Sequence, residues 1–553
     1  MSALAKVLSQ LPRWFFLSLR FAVISLLWCL VPVATMADEL DVGRQIYEKG
    51  ILPNGQLLAG VRAGDQQVVG QEAACANCHR PSGMGGLEGS TFMPPITVDF
   101  LFRPEKHALA VTDPSQPMGL TISDHSYSDS GLVNLLINGI NYNGRPLTMV
   151  MPRYQLDAEA MKSLLGYLHQ LSAAPSPGLG PDNELHFATV FTPEVDEKTK
   201  AMVKAEINAF VQQHNSNMST AQRHRRIGFD RLRTTNYPWV FHFWDLKGEP
   251  YNWLTQLEAN YSQQPVFALV GGVSFQAVDP VQAFCEKNKT PCLLRSVLSS
   301  GNASERYSLY YSRGMALDAS LFATGLKSGV IKKPAQVLQF MSPDALGEGI
   351  STDLGERLKP LNIPEKRLAL TKENLPTIRK QLQSLKAKDL VVCWCDQADL
   401  DRLGKVHLPK SARIYFSGSL LMMKSGFNEF TRPWQSARMI YPYELPDKRL
   451  RQMSTFYSWV ASQRFEPINE VIQSDTYFSM LILQEALAEM VDNLYKDYLV
   501  ERVENIFGMS YDFWGIYSRP SLGPVQRYAN TSGYITKFLK KRWVPDSDRI
   551  VEE

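Results

Sequence analysis

Residues 173–183, AAPSPGLGPDN, are rich in proline, glycine and alanine and carry no hydrophobic period. Such a stretch reads as a linker, and the sequence on its two sides follows different rules. On the N-terminal side lie short helical stretches and loops: DVGRQIYEKG (41–50), SGLVNLLINGI (130–140), and a last helix opening after Asp157, a residue type suited to cap it. Met161, Leu164, Leu165, Leu168 and Leu171 fall on one face of that helix. On the C-terminal side, apolar runs such as HFATVF, WVFHFW, VFALVGG and CLLRSVL alternate with helix-compatible stretches, and the alternation resumes with AQVLQF, KRLALT, DLVVCW and RIYFSG. That pattern predicts parallel sheets covered by helices. One core rarely serves more than ~250–300 residues, so residues 184–553 are expected to form two lobes. The predicted class is multidomain: an all-α unit over 38–172, a linker over 173–183 and a two-lobed α/β unit over 184–553.

Residues 1–37 have the layout of an export signal. Lys6, Arg13 and Arg20 precede the apolar run Phe21 to Val33, and the small-residue stretch VATMA ends at Ala37, where cleavage is expected. The alternative is an uncleaved anchor, against which the apolar run falls short of the ~20 residues a spanning helix needs. Lipid attachment at Cys29 is opposed by the bulky Trp28 beside it. Cleavage removes Lys6, Arg13 and Arg20 and no acidic residue, which brings the formal net charge from +3 to zero. The basic stretches RHRRIGFDRLR (223–233) and KFLKKRW (537–543) have no phosphate-binding framework around them and read as solvated faces. No nucleic acid partner is expected, nor any membrane span once the signal is removed; the expected location is the periplasm of a Gram-negative type cell.

Export places the cysteines in an oxidising compartment. Cys285 and Cys292 in FCEKNKTPC could close a short disulfide loop. Cys393 and Cys395 in VVCWCD share one face of a strand, an awkward geometry for bridging, and read as buried core thiols.

Cys75-Ala-Asn-Cys78-His79 matches C-x-x-C-H, the spacing of covalent haem attachment. Two thiols on one helical turn reach the two vinyl groups, and the next residue offers its imidazole to the iron. A zinc ribbon would need a second ligand pair nearby, and a thioredoxin-like dithiol would follow a strand in a βαβ unit; neither surrounds residues 75–79. The sixth iron ligand is expected later in the same unit. Met151, followed by Pro152 in a loop before the last helix, is favoured, with Met149 as the alternative, whereas Met161 belongs to the helix's apolar face.

CANCH, MPPI and MPRY followed by LLGYLHQL resemble a class I cytochrome c over about residues 40–172. The resemblance implies an all-α cytochrome c domain with one covalent haem c, in which Pro95 supplies the carbonyl that orients His79. The insert ILPNGQLLAGVRAGDQQVVGQ departs from the compact form of that family. With a single C-x-x-C-H and both axial positions filled, the implied role is electron transfer.

The segments YNWLTQLEANYSQQPVFALVGGVS, YSLYYSRGMALDASLFATGL and YSRPSLGPVQRYANTSGYIT resemble a type I periplasmic binding protein of the branched-chain amino acid receptor kind, over about residues 184–545. The resemblance implies two lobes joined by crossing segments and a ligand between them. Strand ends lining such a cleft would contribute Gly272 and Ser274 in the turn Gly271–Ser274, and Ser299 and Ser300, from the first lobe. The second lobe would contribute Ser342, Asp344, Asp396 and Ser417. The aromatics of YPWVFHFWDL, and Tyr307, Tyr310 and Tyr311, read mostly as packing, and His242 as a strand residue rather than a metal ligand.

No nucleophile elbow, Walker loop, paired-carboxylate signature or H-E-x-x-H occurs in this half, so no substrate turnover is expected. The leading expectation is an exported monohaem cytochrome carrying single electrons to or from a periplasmic partner protein, fused to a substrate-binding module for an amino acid, a small organic acid or a partner protein. Alternatives are a solute receptor or sensor with the haem as redox reporter, and an accessory electron-transfer subunit of a periplasmic dehydrogenase.

Overall fold

The computed structural model describes residues 39–552 apart from 89–90, 104–107, 110–119, 122–124, 148–149, 174–175, 226–236, 277–278, 300–304, 405, 426–433, 491, 510–513 and 540–541. The export segment, Met149 and Ser300 therefore lie outside the described residues. No helix among the described residues is long and apolar enough to cross a membrane. The chain divides into two compact units, Met1–Pro175 and Ser176–Glu553, the division falling inside the segment 173–183.

The first unit is built on a helix over 39–49 and the helix Ala158–Leu168. Asp157 caps the latter, its carboxylate accepting from the Ala160 N–H at 2.8 Å, and Met161, Leu164, Leu165, Leu168 and Leu171 are buried. The two helices meet at Gly43, where an added Cβ would lie 2.1 Å from the Ser163 carbonyl oxygen and 2.7 Å from Tyr167 Cβ. Any side chain there would push them apart.

The expected all-α architecture is corrected here, because strands accompany the helices. β1 (Ala59–Arg62) pairs antiparallel with β2 (Gln66–Val69) and, on its other edge, with β7 (Arg153–Tyr154). β3 (Gly86–Glu88) pairs with β4 (Thr91–Met93), and β5 (Ala108–Leu109) with β6 (Leu120–Thr121). The long insert before the cysteines makes the β1–β2 hairpin: Gly64 and Asp65 both take positive φ at its tip, which lets the strands turn back tightly.

Among the described residues, the second unit contains two sheets. In the first, β8 (Leu185–Phe191) lies between β9 (Trp239–Asp245) and a strand position shared by β10 (Ala268–Val270) and β11 (Val273–Ser274), interrupted at Gly271–Gly272. Next come β12 (Cys292–Val297) and β13 (Ser308–Tyr310), all parallel. In the second sheet, β15 (Glu365–Ala369), β14 (Gln336–Met341), β16 (Asp389–Trp394), β17 (Ile414–Ser417) and β18 (Arg438–Tyr441) run parallel in that order. β19 (Ser532–Leu539) and β20 (Arg542–Pro545) extend it antiparallel, and β21 (Ile550–Val551) pairs with β19.

Both sheets place their first strand between the second and the third, so each has a point where the strand order reverses. Near-continuous apolar strands suit this burial on both faces: β12 and β16 are buried throughout. The chain passes from the first lobe to the second after β13, returns for the helix Glu470–Met490, which packs on β12 and β10, and crosses again before β19. Crossing segments lie side by side, with the Tyr310 N–H donating to the Arg527 carbonyl at 3.0 Å and the Asn530 N–H to the Tyr311 carbonyl at 2.7 Å. Tyr307, Tyr310 and Tyr311 are buried. Cys285 and Cys292 form a disulfide, while Cys393 and Cys395 are free and buried.

Candidate functional sites

In the first unit, Cys75 leads directly into the short helix Ala76–His79, so Cys75, Cys78 and His79 share one turn. Cys75 and His79 are buried, Cys78 is half-buried, and neither cysteine is in a disulfide. The turn is fixed on both sides. The Tyr47 hydroxyl donates to the Arg80 carbonyl at 2.7 Å, just where Arg80 takes φ +62°. The Gly85 N–H donates back to the His79 carbonyl at 2.9 Å. Gly85 has φ +64°, and a Cβ there would sit 2.2 Å from the Met93 carbonyl oxygen.

That close approach lets the β3–β4 hairpin lay the following residues against the histidine. His79 Nδ1 stands 2.9 Å from the carbonyl oxygen of Pro94. A carbonyl only accepts, so Nδ1 carries the proton and Nε2 has its lone pair free; Nε2 has no hydrogen-bond partner among the described residues. The expected orienting residue, Pro95, is thus corrected to Pro94. Met93 is the residue paired with Gly86, and it is the carbonyl immediately after that pair which meets the ring. Burial holds the imidazole below its usual range, opposed by the Pro94 carbonyl, which keeps it neutral, the form that binds iron.

Cys75 and Met151 belong to one apolar cluster with Leu101, Leu132, Leu136, Tyr154 and Leu164, Met151 partly buried against it. Burial pushes the Cys75 thiol up to about 12, offset by a hydrogen bond with Tyr154. The residues fit a covalent haem: two thiols and a neutral imidazole on one turn, a thioether in the same apolar cluster, and a tautomer set by a backbone carbonyl. No cluster of three or more His, Cys, Asp or Glu suited to a metal ion occurs among the described residues.

In the second unit a cleft of about 540 Å³ opens between the lobes, at the carboxyl ends of both parallel sheets. From the first lobe come Glu194 after β8, Glu249 and Pro250 after β9, Phe275 and Gln276 after β11, and Leu298 and Ser299 after β12. The second lobe presents Asp344, Leu346 and Asp353 after β14, together with Lys424. Glu194 is held firmly: its Oε1 accepts from the Phe275 N–H at 2.8 Å and from the Thr192 hydroxyl. Asp344 caps the helix Ala345–Leu358 by accepting from the Gly347 N–H at 2.7 Å. Lys424 Nζ pairs with Asp396 at 3.1 Å.

Of the expected cleft residues, the structure brings Ser299 and Asp344 into the lining. Ser274 and Ser417 are fully buried and are corrected to structural roles: Ser274 donates to the Gln276 carbonyl at 3.3 Å, and Ser417 donates to Asp318 at 2.6 Å. Gly272 sits inside the sheet at the break between β10 and β11, where a Cβ would meet the Val190 carbonyl oxygen at 2.4 Å. Ser342 donates to Asp399, and Asp396 caps the helix Gln397–Leu403; both reach the cleft only through neighbours. Glu194, Glu249 and Lys424 were not anticipated, because the sequence reading favoured small turn residues at strand ends over charged ones a few residues further on.

Fold and sites together define a protein of two units, one organised around a cysteine–histidine turn and one around an interlobe cleft at two sheet switch points. No protein-family model matches the chain, and no curated protein matches it. Among solved structures it is similar to a substrate-binding protein of an ABC transporter from Desulfitobacterium hafniense in complex with Leu, at 12% identity and TM-score 0.45, covering 65% of this chain and 99% of that one. It is also similar to a branched-chain amino acid ABC transporter protein from Thermus thermophilus with bound valine, at 11% identity and TM-score 0.47, covering 66% and 97%. A solute-binding protein from Rhodopseudomonas palustris BisB5 in complex with 3,4-dihydroxybenzoic acid is similar at 14% identity and TM-score 0.45, covering 66% and 96%.

Proposed function

We propose that the chain is an exported monohaem c-type cytochrome, of the class I kind, whose second unit is a periplasmic-binding-protein-like module that takes a small ligand in its cleft. The observation that carries the first half is the turn 75–79, with two cysteines followed by a histidine whose Nδ1 is committed to Pro94 at 2.9 Å. In this reading Cys75 and Cys78 would hold one haem c through thioether bonds, and His79 Nε2 and the Met151 thioether would bind its iron. When bound, the haem supplies reversible one-electron chemistry.

The chain's own residues do the rest. Pro94 holds the imidazole in one tautomer and raises its basicity. Tyr47 pins the turn through Arg80. The apolar cluster around Cys75 and Met151 excludes water. With the His79 imidazole and the Met151 thioether both given to the iron, the unit would exchange electrons with a periplasmic donor or acceptor protein rather than bind a substrate.

The second half rests on the cleft, which collects polar groups at the strand ends of two sheets of like order, the place where open α/β sheets bind ligands. A pocket of about 540 Å³ suits an amino acid or small organic acid. If the haem reports on the cleft, ligand must shift the haem potential, because coupling between two sites is reciprocal.

The test is direct. Purified exported protein keeps its haem through acid–acetone extraction and is reduced and reoxidised reversibly; loss of all haem on extraction contradicts the first half. A thermal-shift series with amino acids, amides and short organic acids tests the second, and a melting temperature unmoved by every member contradicts it.

A further inference from the structure

The insert ILPNGQLLAGVRAGDQQVVGQ, which departs from the compact cytochrome form, closes on itself. The Gly70 N–H donates to the Leu58 carbonyl at 2.8 Å, and the Leu58 N–H donates to the Gly50 carbonyl at 2.8 Å. Gly50 and Gly70 approach so closely that a Cβ on Gly50 would lie 2.1 Å from the Gly70 carbonyl oxygen. The β1–β2 hairpin therefore stands on the end of the helix over 39–49 by backbone contacts alone, with its own two ends side by side.

What the hairpin grips is the chain just after Met151. β1 sets Gly60 opposite Tyr154 and Val61 opposite Arg153, and the Gln155 N–H donates to the Ala59 carbonyl at 3.2 Å. Pro152, between Met151 and β7, packs on Gly60: an added Cβ there would stand 2.8 Å from Pro152 Cβ and 3.3 Å from Tyr154 Cδ1. Only glycine fits so close an approach. On the far side of β7, Gly139 at the C-cap of the helix Asp129–Asn138 lies against Arg153. From the end of β2 the chain runs through the turn Gly70–Glu72 into Cys75, and Tyr154 of β7 is hydrogen-bonded to Cys75. One small sheet thus touches both the cysteine turn and the loop that carries Met151.

We propose that the inserted hairpin is the positioning element of the sixth haem ligand: through Gly60 it holds the Met151 loop so that the thioether stays on the iron. This rests on the cytochrome reading above. A ligand on a loop is retained only while the chain beside it stays ordered, since loops open locally at less cost than the core. Met151 is only partly buried against the apolar cluster, so its own packing leaves it dependent on Pro152, Arg153 and Tyr154, the residues β1 grips. Loosening that grip opens the sixth position without disturbing Cys75, Cys78 or His79. Added imidazole can then occupy it, and the haem potential falls, because a methionine ligand raises it.

Three forms of the full-length exported protein test this: the parent, Gly60→Val, and a variant in which an Asn-Gly turn replaces residues 59–69. The readouts are the red charge-transfer absorption of a thioether-bound ferric haem, the midpoint potential, an imidazole titration, and the first unit's calorimetric transition. The parent is expected to show the band and resist imidazole. Both variants should keep covalent haem and the transition, lose the band, show a lower potential, and bind imidazole about 10-fold or more tightly, as the open form becomes the main one. Met151→Ala should give the same spectrum with the hairpin intact. Where one variant lacks the first unit's transition, the other decides. A folded variant that keeps the band and resists imidazole would overturn the assignment and leave the cytochrome reading standing. Band and transition lost together in both variants would mark a hairpin that only stabilises the unit, and overturn it too. A parent with covalent haem but no such band would overturn Met151 as the ligand and this assignment with it; a parent without covalent haem would overturn the cytochrome reading itself.

Discussion

The two units concentrate their polar chemistry in opposite ways. In the first, the candidate donors Cys75, Cys78 and His79 occupy one helical turn, and a single backbone carbonyl, Pro94, completes the arrangement. In the second, the cleft is assembled from Glu194, Ser299, Asp344 and Lys424, far apart along the chain and brought together only because two parallel sheets end at the same gap. A covalent attachment needs its groups at fixed spacing along the chain, whereas a ligand held by strand ends needs only a sheet that delivers them. The first site should therefore depend on the local packing that fixes its turn, and the second on the integrity of whole lobes.

The largest effect expected to separate the units is at the helix crossing of the first. Gly43→Ala places a Cβ against the Ser163 carbonyl, and overpacking against backbone costs about 3 kcal/mol. Calorimetry should show the first unit's transition falling while the second's stays. A change in both would break the comparison. Next, removing the Cys285–Cys292 disulfide with Cys285→Ala/Cys292→Ala releases a loop of sequence separation 7. The loop-entropy relation gives a loss of about 2–3 kcal/mol, expected in the second unit alone and readable as a lower urea midpoint of that transition.

A smaller, pH-graded effect follows from three buried carboxyls of the second unit. Burial pushes Asp318 and Asp475 up to about 7 and Glu206 up to about 8, against hydrogen bonds from Ser417 and Ser419, from Ser296 and Tyr517, and from Gln473 respectively. In the unfolded chain these groups release their protons near pH ~4. The folded state therefore holds protons the unfolded chain has lost, so the stability is complete below pH ~4 and is lost as pH rises through about 7 and 8. Each group contributes up to ~1.4 kcal/mol per pH unit within that window. Asp475→Asn and Glu206→Gln should flatten the slope of the second unit's urea midpoint between pH 5 and pH 8, roughly; an unchanged slope would show those carboxyls to be ionised in the fold.

The difference between the units also decided what could be read from the sequence. The turn 75–79 was legible because its chemistry dictates contiguous residues, and Asp157 and the apolar face behind it marked the last helix. Which proline of MPPI meets His79 was not legible: Pro94 and Pro95 are equivalent as letters, and only the Gly86–Met93 pairing decides between their carbonyls. The strands of the insert were overlooked although its Gly64–Asp65 step is a hairpin signal. The alternation after residue 184 predicted two lobes, and the cysteine spacing the disulfide. The cleft escaped because Ser274 and Ser417, natural choices after apolar runs, spend their hydroxyls on internal bonds.

The central claim is that Cys75 and Cys78 carry a covalent haem with His79 on the iron. Intact mass and absorption spectra of the exported protein, beside its Cys75→Ala/Cys78→Ala variant, test it most directly. A mass raised by one haem, a spectrum that survives acid–acetone extraction, and loss of both in the variant with the second unit still folded are expected. An exported protein at its polypeptide mass, with both thiols free to alkylate, would contradict it.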